Sequence, residues 1–138
     1  MLPVYSTPGS AGLDVFSVEE VEIPPSETRS ISTGIALELP YDTFASVASR
    51  SGLFLKNQIY AFPGLIDSDY RGIVHILLTN LIKDKYFTVE VRDKIAQIVI
   101  QNYQRLPIVQ TLFLNSTERG DGGFGSTGFR DIPVCPFK

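Results

Sequence analysis

The chain has 138 residues, 43% of them hydrophobic and 20% charged, and its 12 Lys and Arg against 15 Asp and Glu give a formal net charge of −3. That length suits one domain with a real core and leaves no room for a second of ordinary size, while the acidic balance excludes broad binding to nucleic acid. Cys135, the single cysteine, excludes an internal disulfide, and no apolar run approaches the ~20 residues of a membrane helix. The start, Met1-Leu2-Pro3-Val4-Tyr5, lacks a signal-peptide pattern, so a soluble intracellular protein without membrane or nucleic-acid partners is expected.

In chain order, Val21 and Ile23, then Ile35, Leu37 and Leu39, repeat apolar residues at a two-residue period, as strands with one buried face do. Gly52 to Gln58 is the one stretch that reads as a helical turn. The runs Ile73 to Ile82 and Ile95 to Ile100 are short and β-branched, and suit strands buried on both faces. Between them, Phe87-Thr88-Val89-Glu90-Val91-Arg92 alternates cleanly. Turn chemistry separates the runs at Pro24-Pro25, Pro40-Tyr41-Asp42, Lys83-Asp84-Lys85 and Leu106-Pro107. The 11 Gly and 9 Pro act as punctuation. About ten short strands at this spacing predict an all-β domain: a sandwich, jelly roll or barrel.

Four segments could carry chemistry. In Ala48-Ser49-Arg50-Ser51-Gly52, an Arg and two hydroxyls lie where a strand gives way to the helical turn, which suits an anion; a polar loop with an ordinary Arg fits as well. Gly64-Leu65-Ile66-Asp67-Ser68-Asp69-Tyr70-Arg71-Gly72 sets two carboxylates two residues apart, either a general base toward water or an Asp/Gly-rich hairpin turn. Asp14, in Ala11-Gly12-Leu13-Asp14-Val15, adds a carboxylate at a strand start. From Gly120 to Gly128, five of nine residues are Gly, and Arg119, Ser126 and Thr127 supply donors for phosphate oxygens. No Lys-Ser or Lys-Thr follows at P-loop spacing, so this is either a linker or a phosphate-binding segment. Phe124 favours the second, because an aromatic among glycines packs on nothing local and can cover a planar base. His75, with no Cys or second His near it, is read as a packed or surface histidine, and Cys135 has no base beside it.

Taken together, these segments resemble the trimeric dUTPases, a family defined by five ordered motifs. The first is similar to Ala11 to Val15, the second to Ser49-Arg50-Ser51-Gly52-Leu53, and the third to Gly64 through Gly72 with Asn80 downstream. The fourth resembles Arg92-Asp93-Lys94-Ile95-Ala96-Gln97, and the fifth Arg119 to Gly128. The resemblance implies a jelly-roll β domain over 1–128, ending in a mobile Gly-rich lid at 119–128, with 129–138 as an extension. It implies a homotrimer with shared active sites that hydrolyses dUTP to dUMP and pyrophosphate with Mg²⁺, lowering dUTP and supplying dUMP for thymidylate synthesis.

By the same resemblance, Asp67 is the base that activates water, Tyr70 packs on the deoxyribose against a 2′-hydroxyl, and the backbone from Ala61 to Leu65, with Gly64, Leu65 and Ile66 among the contacts, meets the uracil edge. Arg50, Ser51, Gly52 and Gln97 hold phosphates, and Asp14 meets the metal through water. Arg119, Gly125, Ser126 and Thr127 close on the phosphates while Phe124 covers the base. Three positions depart from the family: Arg92 stands where Gly is usual, Lys94 where Arg is usual, and Ala61 where some members have Asn. The fourth-motif departures keep open a catalytically silent binding or signalling module. The shared fold keeps open a dCTP-deaminase-like enzyme.

Overall fold

A computed structural model describes residues 1–124, 126 and 128. The chain divides into two compact units, Met1–Arg105 and Leu106–Lys138. Among the described residues all regular structure lies in the first: strands β1 (Val4–Tyr5), β2 (Leu13–Phe16), β3 (Val21–Ile23), β4 (Thr28–Ser32), β5 (Thr43–Ala48), β6 (Ile59–Ala61), β7 (Leu65–Ile66), β8 (His75–Asn80), β9 (Phe87–Val89) and β10 (Lys94–Asn102), with one helix, α1 (Ser51–Asn57). The helix stops at Gln58, which turns left-handed (φ 53°) and donates its N–H to the Phe54 carbonyl.

The strands form a five-stranded sheet in the order β1-β2-β10-β5-β7, a three-stranded sheet β4-β8-β6 and a pair β3-β9, all antiparallel. This is a jelly-roll-like β fold, one of the three all-β architectures the strand count allowed and the one the family resemblance implied. The core lies between the sheets: Val15, Ala45, Val47, Ala96 and Ile98 from the large sheet, and Ile31, Ile59, Ile76 and Leu78 from the smaller one. Asn80, fully buried, ties the layers together. Its amide donates to the Ile23 and Lys85 carbonyls (3.0 and 2.8 Å), and its oxygen accepts the Ile82 N–H.

Three expectations change. Ile35, Leu37 and Leu39 pack on the core but form no strand, because only Ile35 finds a backbone partner there, its carbonyl accepting from Val74. β8 and β10 are not buried on both faces. β8 alternates exposed and buried residues, and Leu77 points outward; with only two main layers, each sheet covers its neighbour on one side alone. β9 ends at Val89 because Glu90 to Asp93 form a turn, closed by the Asp93 N–H on the Glu90 carbonyl (3.1 Å).

Within that turn Arg92 has φ 76°, the left-handed conformation that glycine takes without strain. Its N–H donates to the Ser17 carbonyl (2.9 Å), which fixes it there. Arg92→Gly is therefore expected to stabilise the fold by about 1 kcal/mol. A thermal melt should show a midpoint a few degrees higher; an unchanged or lower midpoint would mean the arginine side chain offsets its backbone strain.

Candidate active site

The alternation of the large sheet sorts its residues onto two faces. Val15, Ala45, Val47, Ile66 and Ile98 point to the core; Asp14, Gln97 and Ala48, joined in register across β2, β10 and β5, point to the other side. Leu65, opposite Ser46, shares that second face two strands away.

Asp14 is the hub of this face. Ser6 Oγ (2.6 Å) and Lys94 Nζ (2.8 Å) donate to its Oδ2, while Gln97 Nε2 (3.2 Å) donates to Oδ1 and Arg50 Nε lies 3.3 Å from that oxygen. Three hydrogen-bond donors and one further cation thus occupy both oxygens of one carboxylate. Burial pushes the Asp14 acid upward, but the bonds from Lys94, Ser6 and Gln97 and the Arg50 charge outweigh it and hold the pKa at about 2. One negative charge thus stands among two positive ones.

The same contacts hold Arg50. It donates from Nη1 to the Lys94 carbonyl (2.9 Å) and pairs with Asp14 as an ion, which leaves the rest of its five N–H groups for a ligand. It sits immediately before α1, whose first residues, Ser51 and Gly52, are exposed; a Cβ at Gly52 would meet nothing within 4 Å, so the backbone there is open to a ligand. Gly12 matters by the reverse test, since a Cβ there would lie 3.2 Å from Gln97 Cβ and crowd that side chain.

Asp67 opens the turn after β7, its carbonyl accepting the Tyr70 N–H (3.1 Å). Among the described residues its exposed carboxylate has no hydrogen-bond or ion-pair partner. With Leu65, Asp69, Arg71 and Tyr103 it lines a cavity of about 700 Å³. Arg50 and Lys94 line a different one, of about 200 Å³, and no residue is common to the two. The predicted site residues of the first unit therefore fall into two groups.

The backbone predicted to read a base edge is partly committed. The Ala61 N–H donates to Ser49 Oγ (3.2 Å), the Phe62 N–H to the Leu77 carbonyl (2.8 Å), and Pro63 has none. Val47 donates to the Gly64 carbonyl (2.9 Å), so in the alternating antiparallel pattern Leu65 turns its N–H and C=O away from β5. Since β7 is an edge strand, that donor and acceptor face outward.

The Gly-rich segment, in the second unit, runs as consecutive turns. Gly122 donates to the Arg119 carbonyl (3.1 Å), Arg119 Nε to the Gly122 carbonyl (2.8 Å), and Ser126 to the Gly123 carbonyl (2.9 Å). Phe124, at φ 48°, is fully exposed. Gly125, Thr127 and the 129–138 extension lie outside the described residues.

Among the described residues no three His, Cys, Asp or Glu side chains converge as a metal site. Asp14 has both oxygens occupied by the protein's own donors, and Asp93, which lines the cavity beside Arg50 and Lys94, accepts the Glu90 N–H. These residues do not fit an Mg²⁺ held by the protein alone. Arg50 keeps N–H groups that no protein acceptor among the described residues takes, which suits phosphate.

Sequence reasoning passed over Ser6 as a partner of Asp14. It reaches Asp14 through the pairing of Val4 with Asp14, and Pro8-Gly9 was the only sign of the turn that makes this possible. Lys94 was noted as a departure, but its place on Asp14 was not foreseen.

A β domain with anchored cations on one sheet face and an open carboxylate turn at a sheet edge has the make-up of a nucleotide-handling protein. Comparisons with known proteins narrow this further. The dUTPase family model matches residues 1–128. The deoxyuridine 5'-triphosphate nucleotidohydrolase of Clostridioides difficile is 47% identical over 131 residues, 94% of this chain and 91% of that protein. The Helicobacter pylori (strain P12) protein of the same name is 43% identical over 130 residues, 93% and 89% respectively. A Staphylococcus bacteriophage 80alpha dUTPase solved with dUpNHpp superposes with a TM-score of 0.88 at 28% identity, covering 93% of this chain and 92% of that one. The chain belongs to the dUTPase family.

Proposed function

We propose that this protein hydrolyses dUTP to dUMP and pyrophosphate, with Asp67 as the base toward the attacking water. The observation that carries this reading is the open Asp67 carboxylate beside the outward-facing backbone of Leu65 on one edge strand, in a chain of the dUTPase family. A base edge carrying a donor between acceptors is complementary to the N–H and C=O of Leu65, and Tyr70 follows within the same turn to meet the sugar.

The triphosphate carries roughly four negative charges, so a water attacking its α-phosphorus needs neutralisation and in-line placement more than covalent help. The N–H groups of Arg50 left free by the Lys94 carbonyl, with Ser51, the Gly52 backbone and Gln97, are suited to that task. Arg119, Ser126 and Thr127 are proposed to grip the phosphates and Phe124 to cover the uracil, excluding water when the segment closes. Mg²⁺ fits as part of the substrate, carried on the triphosphate oxygens, because Asp14 is already saturated. Structural magnesium is named for a related enzyme from phage phi11 of S. aureus, which at 24% identity supports the common fold.

The working form is proposed to be a homotrimer with shared sites. Two facts support sharing: the Arg50 and Asp67 groups open onto separate cavities, and Leu106, Ile108, Val109, Leu112, Phe113 and Leu114 expose an apolar run of a kind that soluble chains cover. No helix among the described residues is long and apolar enough to cross a membrane.

Pyrophosphate release from dUTP with Mg²⁺ tests the activity; a folded assembly without turnover would leave only a binding module, and ammonia from dCTP would indicate a deaminase. Co-expressing Asp67→Asn and Arg50→Ala copies tests sharing. Mixed assemblies should recover activity well above either variant alone, whereas sites built within one chain should recover none.

A further inference from the structure

Gly72 closes the third motif. A Cβ there would lie 2.5 Å from Tyr70 Cζ and 3.0 Å from Cε2, and closer still to the phenol oxygen. The hydroxyl end of the Tyr70 ring therefore rests on the bare Cα of Gly72, a seat no other residue leaves open. The ring is also tethered, because Tyr70 Oη donates to the Ile73 carbonyl (3.1 Å). His75 Nδ1 lies 2.9 Å from the same oxygen, so the turn is fixed from the following strand as well. Tyr70 itself stays half exposed, with part of the ring free for a ligand.

We propose that Gly72 is a positioning residue for sugar selection: its missing side chain and the Ile73 carbonyl set the Tyr70 ring at the depth that admits a deoxyribose and rejects a ribose. This rests on the reading of Tyr70 as the sugar contact. Any side chain at position 72 lifts the ring off the turn, and a displaced ring no longer fills the space a 2′-hydroxyl would need. Discrimination of this steric kind amounts to about 10–200-fold between substrates differing by one small group.

The test compares kcat/KM for dUTP and UTP. Gly72→Ala is expected to lower the dUTP-to-UTP ratio by about tenfold or more. Partial unfolding would lower both values together and leave the ratio unmoved. The double variant Tyr70→Ala/Gly72→Ala should show the same ratio as Tyr70→Ala alone, because Gly72 acts only through the ring. A wild-type ratio in Gly72→Ala, or a further fall in the double variant, would overturn the inference. Should Gly72→Ala not fold, Tyr70→Phe keeps the ring and removes its tether; a several-fold lower ratio supports the seat, and an unchanged one refutes it. Equal use of dUTP and UTP by the unaltered enzyme would overturn the sugar reading of Tyr70 itself, and this inference with it.

Discussion

Asp67→Asn is expected to lower kcat on dUTP by about 10²–10⁴-fold, the usual contribution of a positioned base, while leaving nucleotide binding close to unchanged. Asn keeps the volume and shape of the side chain but cannot take a proton from water. Binding survives because the contacts proposed for the base and phosphates are made elsewhere, by the Leu65 backbone and by Arg50 and Gln97. In the described residues the Asp67 carboxylate makes no hydrogen bond or ion pair, so its replacement breaks no internal contact and should leave the melting temperature where it was. The measurement is single-turnover hydrolysis alongside equilibrium binding of a non-hydrolysable dUTP analogue. A kcat within a few-fold of wild type would remove Asp67 from the chemistry. A matched loss of binding would make it a ligand contact instead. Asp69, two residues on and lining the same cavity, is the natural control. Asp69→Asn should leave kcat within a few-fold of wild type, and a loss as large as that of Asp67→Asn would move the base to Asp69.

Much of this was legible in the residues themselves, and what was not has physical causes. The two-residue period located β3 and β9, the β-branched runs marked β8 and β10 as strands, and the helical turn was placed within a residue of α1, because these signals are local. The same period failed at Ile35 to Leu39, where alternation reflects packing against the core without a ladder partner; only three-dimensional context separates those cases. Arg92 showed the opposite relation. Glycine, the family's usual residue there, takes a positive φ without strain, and the chain adopts φ 76° with arginine in place, since the Ser17 carbonyl holds the turn. At the candidate site the sequence marked Asp14, Arg50, Gln97 and Asp67 but could not say which of them touch. Asp14, Arg50 and Gln97 meet through strand register, and register is a property of paired strands rather than of any one segment. Ser6 and Gly72 were silent because neither residue type carries a distinctive signal. One acts through an unexceptional hydroxyl and the other through the absence of a side chain.

Asp14→Asn is expected to have the second large effect, on stability and activity together. Replacing the carboxylate leaves Arg50 and Lys94 facing each other across a neutral amide that presents a donor where one of them needs an acceptor. Removing one partner of a buried ion pair typically destabilises by 3–5 kcal/mol; with Arg50 and Lys94 each about a third exposed, solvent reduces this to about 3 kcal/mol. Arg50 then loses one of its two anchors, and displacement of a phosphate-positioning group by about 1 Å can lower kcat/KM by about 10²-fold. The sign of the pH dependence follows from the direction of the Asp14 shift. Its folded pKa, about 2, lies below the ordinary aspartate value of 3.8. The carboxylate's contribution of about 2 kcal/mol is therefore complete above pH ~4 and lost as pH falls through about 2. Denaturant titrations at a series of pH values should show the gap between wild type and Asp14→Asn at its widest near neutrality and narrowing steadily below pH ~4. A gap that stays constant down to pH ~2 would show that the charge of Asp14 does not contribute to the fold. A full-rate Asp14→Asn enzyme would show that Arg50 is held well enough by the Lys94 carbonyl alone.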